Sequence, residues 1–303
     1  MIVAGLVILL LVMPLQADAE HLFEAGVRAG IAGYNAQCTY VEPLTGWQAG
    51  ILLSYTYHSP YVIGLRIAAT FNRHQAGFYK SGYTDSYTTI DVEIDRMQID
   101  YTIGSLREVH SAWSVGIPLQ MAFSWGRWNL YLGPEIVLPF QSRWTETANN
   151  AALSVYYPKQ DNRVYESYPL AAARSFSETQ NGIGTKKQQQ WWLSAEFCYD
   201  LPIYTSAGHH SYISIGVYAD YSLARETEEP SDRISLLMLS DTREGFPLHR
   251  IMTPIVSALR QDKRLVTSSN LFDIGIKITF RLAPYNHLKR NAKTCHCYGI
   301  TYY

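Results

Sequence analysis

The stretch LFDIGIKITFRL, at residues 271–282, decides the fold because apolar and polar residues alternate along its whole length. From Phe272 to Leu282, every even-numbered residue is apolar. Asp273, Lys277 and Arg281 are among the odd-numbered residues between them. Successive side chains of a strand point to opposite faces of the sheet, so this stretch predicts a strand with one apolar and one polar face.

The same alternation recurs in seven other stretches of the chain. Together, the eight predicted strands are residues 22–34, 46–57, 61–72, 111–124, 127–141, 190–201, 212–224 and 271–282. They have the length of strands that cross a bilayer, about 9–11 residues, whereas strands of globular proteins have a mode of about 5–6. Their second face carries Gly, Ser, Thr and charged residues, which suits a polar lumen behind a lipid-facing surface. The pattern predicts an all-β fold, a transmembrane antiparallel up-and-down β-barrel of eight strands.

Two alternatives stay open at this stage. One is a secreted soluble barrel or sandwich. The other is a barrel of ten strands, because residues 88–102, TTIDVEIDRMQIDYT, also alternate. The polar side of that stretch is strongly acidic, so we interpret it as a hairpin extension above the membrane.

The connections between predicted strands alternate between short and long. The short ones are 58–60, 125–127 and 202–210, and the long ones are 35–45, 73–110, 142–189 and 225–270. Outer-membrane barrels have short periplasmic turns and long extracellular loops, so we expect both chain ends in the periplasm. Within the last long connection, Thr253 and Pro254 predict the start of a short helix over about 254–262.

The first residues predict export. Residues 2–15 are almost all apolar, and Ala17 and Ala19 are small residues of the kind that a signal peptidase reads. We therefore divide the chain into a signal peptide (1–19), an outer-membrane barrel domain (20–283) and a periplasmic tail (284–303).

One segment carries a resemblance to a known family. Residues 114–123 (SVGIPLQMAF) are followed by the Gly126-Arg127 turn and by residues 128–136 (WNLYLGPEI). This segment resembles the small outer-membrane β-barrel proteins of Bacteroidota, the PorT-like group or outer membrane protein beta-barrel domain family. The resemblance implies a barrel in the outer membrane. Some members of that group serve a secretion system, while most have no assigned activity.

Charged residues on the polar faces are the candidate site. They are Glu24, Arg28, Arg66, Glu135, Glu196, Asp200, Asp220, Asp273, Lys277 and Arg281. An eight-stranded barrel has room only for its own side chains, and buried charges must be paired, so we expect a structural charge network. The first and last strands must adjoin, which predicts that Glu24 pairs with Arg281 or Lys277. On that basis Arg281→Glu should weaken heat resistance, and a second change, Glu24→Arg, should restore it.

We expect no catalytic, cofactor-binding or metal-binding residues. The sequence has no Gly-rich phosphate loop and no nucleotide or heme signature. His110 and Ser111 lie near the outer rim, but neighbouring residues of a strand point to opposite sides, so they do not form a nucleophile–base pair. Cys295-His296-Cys297 resembles half a metal site, but its spacing is not a standard zinc pattern.

The expected function is therefore binding or assembly in the cell envelope, with no enzymatic activity. The expected partners are outer-membrane lipid and an envelope protein, and a monomer is favoured. A net charge of −1 argues against a nucleic-acid partner. A small-solute transport barrel and an outer-membrane enzyme acting on lipid or peptide are the alternatives.

Overall fold

Fourteen strands make up the described part of the chain. The computed structural model describes residues 20–38, 41–58, 63–90, 96–158, 162–164, 176–183, 189–206, 209–223, 237–239, 250–252, 255, 259–260 and 263–283. The long strands are β1 (Glu20–Cys38), β2 (Glu42–His58), β3 (Ile63–Ile90), β4 (Arg96–Trp125), β5 (Trp128–Tyr157), β8 (Gln190–Ser206), β9 (His209–Ser222) and β14 (Val266–Ala283). The short strands are β6 (Asn162–Val164), β7 (Phe176–Ile183), β10 (Leu237–Leu239), β11 (Arg250–Met252), β12 (Leu259–Arg260) and β13 (Lys263–Arg264). The predicted signal peptide and tail lie outside the described residues.

The eight long strands close into an antiparallel ring. Its order is β1-β2-β3-β4-β5-β8-β9-β14, and β14 pairs back onto β1. Each predicted strand falls on one of these eight, so the prediction of an eight-stranded up-and-down barrel is confirmed and the ten-stranded alternative is wrong. Where the ring closes, Gly30 of β1 faces Gly275 of β14. A Cβ atom on Gly275 would lie 2.6 Å from the Gly30 Cα, so the close approach of the two strands requires glycine here.

The barrel wall is apolar outside and polar inside. Large apolar side chains on the outer face are half-exposed, such as Val27 at 57% and Ile276 at 59%, whereas Arg28 and Lys277 beside them in the sequence are buried. A soluble barrel would bury the apolar set, so this surface is the lipid-facing wall of a transmembrane barrel. Both ends of the wall carry packed aromatic residues. The pairs include Phe23–Tyr55 and Trp128–Phe197 at the end of the chain termini, and Phe71–Trp113 and Phe71–Phe140 at the opposite end.

Three strands continue far beyond the barrel at the end opposite the termini. β3 has 28 residues and β4 and β5 have 30 each. β3 and β4 stay paired as far as Ile90 and Arg96, and β6 and β7 add to β5. The interpretation of 88–102 as a hairpin extension is thus confirmed for residues 88–90 and 96–102, whereas 91–95 lie outside the described residues. Residues 73–90, 96–110 and 142–157 are strand rather than loop. We call this extension, residues 74–90, 96–112 and 141–157 with β6 and β7, the head.

The head has an apolar core of its own, in which the polarity of the barrel is reversed. Its core residues are apolar and include Phe78, Ile99, Tyr101 and Leu106 at 2% exposure or less, with a small buried polar cluster beside them. In β4, even-numbered residues are buried from Leu106 to Ala122, whereas odd-numbered residues are buried from Met97 to Ile103. The change of face occurs beside Gly82 and Asn150, whose φ angles are 61° and 52°. This change obscures the alternation, which explains why the sequence prediction treated much of the head as loop.

The predicted helix over 254–262 is wrong where the structure describes it. Leu259 and Arg260 pair as a strand with Lys263 and Arg264. A helix of this length is marginal without packing, so backbone pairing overrides the capping signal. Ile255 is fully buried in the core of the head. The described residues contain no helix that is long and apolar enough to cross a membrane.

Candidate functional site

All ten predicted lumen charges are buried, none exceeding 8% exposure. They separate into two groups along the barrel axis. The terminal tier lies nearer the chain ends and contains Glu24, Arg66, Glu196, Asp200, Lys277 and Arg281. The distal tier lies nearer the head and contains Arg28, Glu135, Asp220 and Asp273.

Three cations and three carboxylates balance in the terminal tier. Arg66 lies 3.1 Å from Glu24 and 2.8 Å from Glu196. Lys277 contacts the same two carboxylates, at 2.9 Å from Glu24. Each carboxylate is thus shared by two cations, which offsets the large cost of removing charges from water.

Arg281, the third cation of the terminal tier, has Asp200 as its closest carboxylate partner. Its Nη1 donates to Asp200 Oδ2, and its Nη2 donates to the Tyr131 hydroxyl, whereas Glu24 lies 3.7 Å away. The predicted pairing of Glu24 with Lys277 or Arg281 is confirmed, at 2.9 Å for Lys277 and 3.7 Å for Arg281. The expected rescue of Arg281→Glu by Glu24→Arg is revised. An arginine at position 24 would face Arg66 and Lys277, so Glu24→Arg is not expected to rescue Arg281→Glu.

Neutral side chains complete the terminal tier, and the sequence analysis missed them. The Tyr131 ring lies 4.4 Å from Arg66, measured from its centroid, and 5.3 Å from Lys277. Thr279 donates to Glu24 at 2.6 Å, and Arg66 donates to Gln120 at 2.6 Å. These residues occupy the alternate, inward-facing positions of their predicted strands, which is the signal that could have identified them.

The distal tier has more carboxyl groups than cations. Arg28 lies 2.8 Å from Asp220 and donates to Asn72 at 2.9 Å. Thr70 donates to Glu135 Oε1 at 3.2 Å. Glu135 Oε2 and Asp273 Oδ1 are buried without a hydrogen-bond partner among the described residues. Three carboxyl groups therefore surround one guanidinium.

The terminal tier bridges the lumen from wall to wall. Arg66 belongs to β3 and Glu196 to β8, which are separated by β4 and β5 along the shorter arc of the ring. Lys277 of β14 reaches the same carboxylate. Because side chains from distant strands touch, they occupy the interior at this level, as expected for an eight-stranded barrel.

A second buried polar cluster lies in the head, outside the membrane-spanning wall. Glu108 and Glu146 face each other on β4 and β5, and both are fully buried. Glu108 is hydrogen-bonded to His110 Nε2 and accepts from the backbone N–H of Ile255. Neither carboxyl oxygen of Glu146 has a hydrogen-bond partner among the described residues. Burial, and then the neighbouring Glu108, raise the pKa of Glu146 well above its ordinary value.

The remaining chemical candidates do not assemble into a site. His110 is buried in the head, whereas the neighbouring Ser111 is on the half-exposed outer face. His74 is buried on β3, opposite Ala112. Within the described ranges, no group of three or more His, Cys, Asp or Glu residues could hold a metal ion. Cys38 and Cys198 are free thiols, and Cys295 and Cys297 lie outside the described residues.

Comparisons with known proteins return only distant structural likeness. No family model and no curated protein match the chain. Among solved structures, Neisserial surface protein A (NspA) is 9% identical, covering 85% of this chain and 95% of its own, with a TM-score of 0.29. Ail, the attachment invasion locus protein of Yersinia pestis, is 8% identical, covering 86% and 98%, with a TM-score of 0.26. The P. putida toluene transporter TodX is 8% identical, covering 88% and 89%, with a TM-score of 0.13. The barrel assignment rests on the strand pairing and the polarity of the wall.

Proposed function

We propose that this chain is an outer-membrane β-barrel with a closed lumen, which acts as a binding or assembly component of the cell envelope through its head. The observation that carries the proposal is the division of the molecule into two parts. The barrel lumen is bridged by buried ion pairs, and the three longest strands build a separate, apolar-cored head beyond the wall.

The proposed placement follows from the wall and the strand count. The half-exposed apolar belt needs lipid, and a closed barrel is one of the two structures that can cross a bilayer. An even number of strands leaves both chain ends on one side. We assign that side to the periplasm, with residues 1–19 as a cleaved signal peptide and 284–303 as a periplasmic tail. The head then projects from the cell surface.

The proposed partners are outer-membrane lipid around the belt and an envelope protein on the head, with the barrel itself as a monomer. The resemblance of residues 114–136 to PorT-like barrels of Bacteroidota supports a role connected with secretion. The outer face of β4, β5 and β7 offers polar side chains for such a partner, including Thr145, Thr147 and Asn181. We propose no enzymatic activity.

Transport of a small solute is the second candidate. The observation in its favour is the distal tier, where two buried carboxyl oxygens have no hydrogen-bond partner among the described residues and three carboxyl groups face one guanidinium. A cation would be the favoured solute. The bridged terminal tier opposes this function.

Site-specific photo-crosslinking in intact cells tests the proposed role. A photoreactive amino acid replaces Arg107 or Thr147 on the outer face of the head, or Ile276 on the lipid-facing belt as the matched control. We expect a protein adduct of defined mass from the head positions and none from Ile276. Absence of adducts at both head positions in a normally folded barrel would contradict the proposal that a protein partner binds the head.

A further inference from the structure

We propose that Arg73 forms a binding site for the phosphate group of a membrane lipid, between Trp47 and Trp113 at the edge of the lipid-facing belt. This inference rests on the proposed membrane placement. It assigns a specific lipid contact to a barrel for which only general lipid contact is otherwise expected.

The position of Arg73 is set by strand register. Arg73 lies on β3, directly opposite Ala49 of β2 and Trp113 of β4. Its guanidinium carbon is 5.5 Å from the Trp47 ring centroid and 5.3 Å from the Trp113 ring centroid. Two aromatic rings therefore hold one cation on the outer face of the barrel.

The surroundings place this cation at the boundary of the belt. Phe71, two residues nearer the chain termini on the same face of β3, is 39% exposed and packs at 5.1 Å against Trp113. Phe140 on β5 is 59% exposed and packs on Phe71. Beyond Trp113, the outer face of β4 carries Ser111, Val109 and Arg107 in turn. Arg73 thus lies where apolar side chains give way to polar ones, at the depth of lipid headgroups.

No carboxylate of the described residues neutralises the charge of Arg73. All four cations in the lumen lie within ion-pair distance of carboxylates, whereas Arg73 makes no ion pair with any residue in the described ranges. It is also exposed. A planar guanidinium that is held by aromatic rings and lacks a counter-ion is suited to bidentate binding of phosphate.

A second guanidinium lies on the same outer face. Arg143 of β5 is exposed and pairs in register with Ser111, two residues beyond Trp113 on β4. The two arginines flank β4 and favour a polyanionic headgroup. Arg107 is the matched control because it is exposed on the same face but lies six residues beyond Trp113, about 20 Å along the strand.

Lipid titration followed by native mass spectrometry tests the site. Full-length protein in a neutral detergent is titrated with diphosphoryl lipid A or with phosphatidic acid, and with phosphatidylcholine as the reference. We expect at least one phosphate-monoester lipid to bind more tightly than phosphatidylcholine. Arg73→Gln should weaken that binding about tenfold, because it removes charge-assisted hydrogen bonds, whereas Arg107→Gln should leave it unchanged. Binding of both lipids would assign the site to phosphate monoesters in general, and binding of one would assign its source.

Arg73→Lys separates charge from geometry. It keeps the charge but loses the planar guanidinium that can bind phosphate through two hydrogen bonds, so we expect intermediate affinity. Unchanged affinity in Arg73→Gln, or an equal loss in Arg107→Gln, would overturn the site.

A bilayer measurement separates this inference from the proposed placement. In phosphatidylcholine nanodiscs, lipids brominated in the acyl chains quench tryptophans near the wall. Absence of quenching would overturn the membrane placement itself. Quenching together with an Arg73-independent lipid affinity would overturn only the phosphate site.

Discussion

Arg66 is the residue whose removal most directly probes the bridged lumen. It is fully buried, forms ion pairs with Glu24 and Glu196, and donates to Ser54 and Gln120. Arg66→Met keeps an unbranched side chain but leaves three carboxylates facing two cations in the terminal tier.

The magnitude follows from the cost of a broken buried pair. Removing one partner of a buried ion pair costs about 3–5 kcal/mol. Lys277 still contacts Glu24 and Glu196, so we expect a value near the lower end, about 3 kcal/mol. With a denaturant slope of about 2 kcal/mol/M in urea, the unfolding midpoint falls by about 1.5 M.

The assay is equilibrium unfolding of the refolded barrel in detergent, followed by tryptophan fluorescence and by the gel shift between folded and heated barrels. The second variant combines Arg66→Met with Glu196→Gln, so that two carboxylates again balance two cations in the terminal tier. We expect the double variant to lose less stability than the sum of the single changes. Arg107→Met, on the exposed outer face of the head, is the control and should change stability by less than about 0.5 kcal/mol. A loss below about 1 kcal/mol in Arg66→Met, or strict additivity in the double variant, would refute the shared network.

Three other changes test separate parts of the molecule. Because folding of the head raises the pKa of Glu146, the stability of the head should be greatest below the ordinary carboxyl value of 4.5 and should fall as pH rises towards the folded pKa. Glu146→Gln should abolish this loss of stability, as measured by hydrogen exchange between pH 4 and pH 9, and should stabilise the head by about 1–2 kcal/mol at the alkaline end. An unchanged pH profile would contradict the assignment of Glu146 as a buried acid. Gly275→Val should prevent barrel closure, because its Cβ would lie 2.6 Å from the Gly30 Cα and 2.7 Å from the Tyr218 hydroxyl; a normal gel shift of the unheated variant would argue against the register of β1 and β14. Cys38 is half-buried at the head end of β1, and burial raises the pKa of its thiol. In protein with Cys295 and Cys297 replaced by serine, Cys38 should react slowly with an impermeant maleimide on intact cells, whereas the buried Cys198 should not react. Labelling of Cys38 only after permeabilisation would reverse the proposed orientation.

The wall of the barrel could be predicted from sequence because lipid and lumen impose opposite demands on neighbouring residues. In β14, Ile276 faces outward and Lys277 inward, and one residue of slippage would exchange them. Period-two alternation therefore specifies both the strand and the side of each charge. The adjacency of the first and last strands followed from the need to remove sheet edges.

The head could not be predicted with the same rule. Its strands reverse their buried face beside Gly82 and Asn150, so a single alternation does not run through them. Its apolar core also takes Ile255 from a distant part of the chain. Such packing depends on tertiary contacts that local periodicity does not encode.

The sequence pattern also could not predict which side chains pair across the lumen. The alternation of side chains along the strand places Arg281 inside the barrel, but the tilt and stagger of the strands decide which carboxylate it contacts. Arg281 contacts Asp200 more closely than Glu24, although Glu24 is its direct neighbour in register. The partner of a long side chain in a barrel is set by reach across the interior as well as by pairing.

Conductance through a single barrel tests the closed lumen most directly. Purified full-length protein is inserted into planar bilayers in 1 M KCl, with folding verified by the gel shift of the same sample. Because Arg66, Glu196 and Lys277 join β3, β8 and β14 across the interior, we predict current indistinguishable from that of protein-free lipid. Reproducible conductance steps from the folded barrel, selective for cations, would contradict the closed lumen and would favour the transport function suggested by the distal tier.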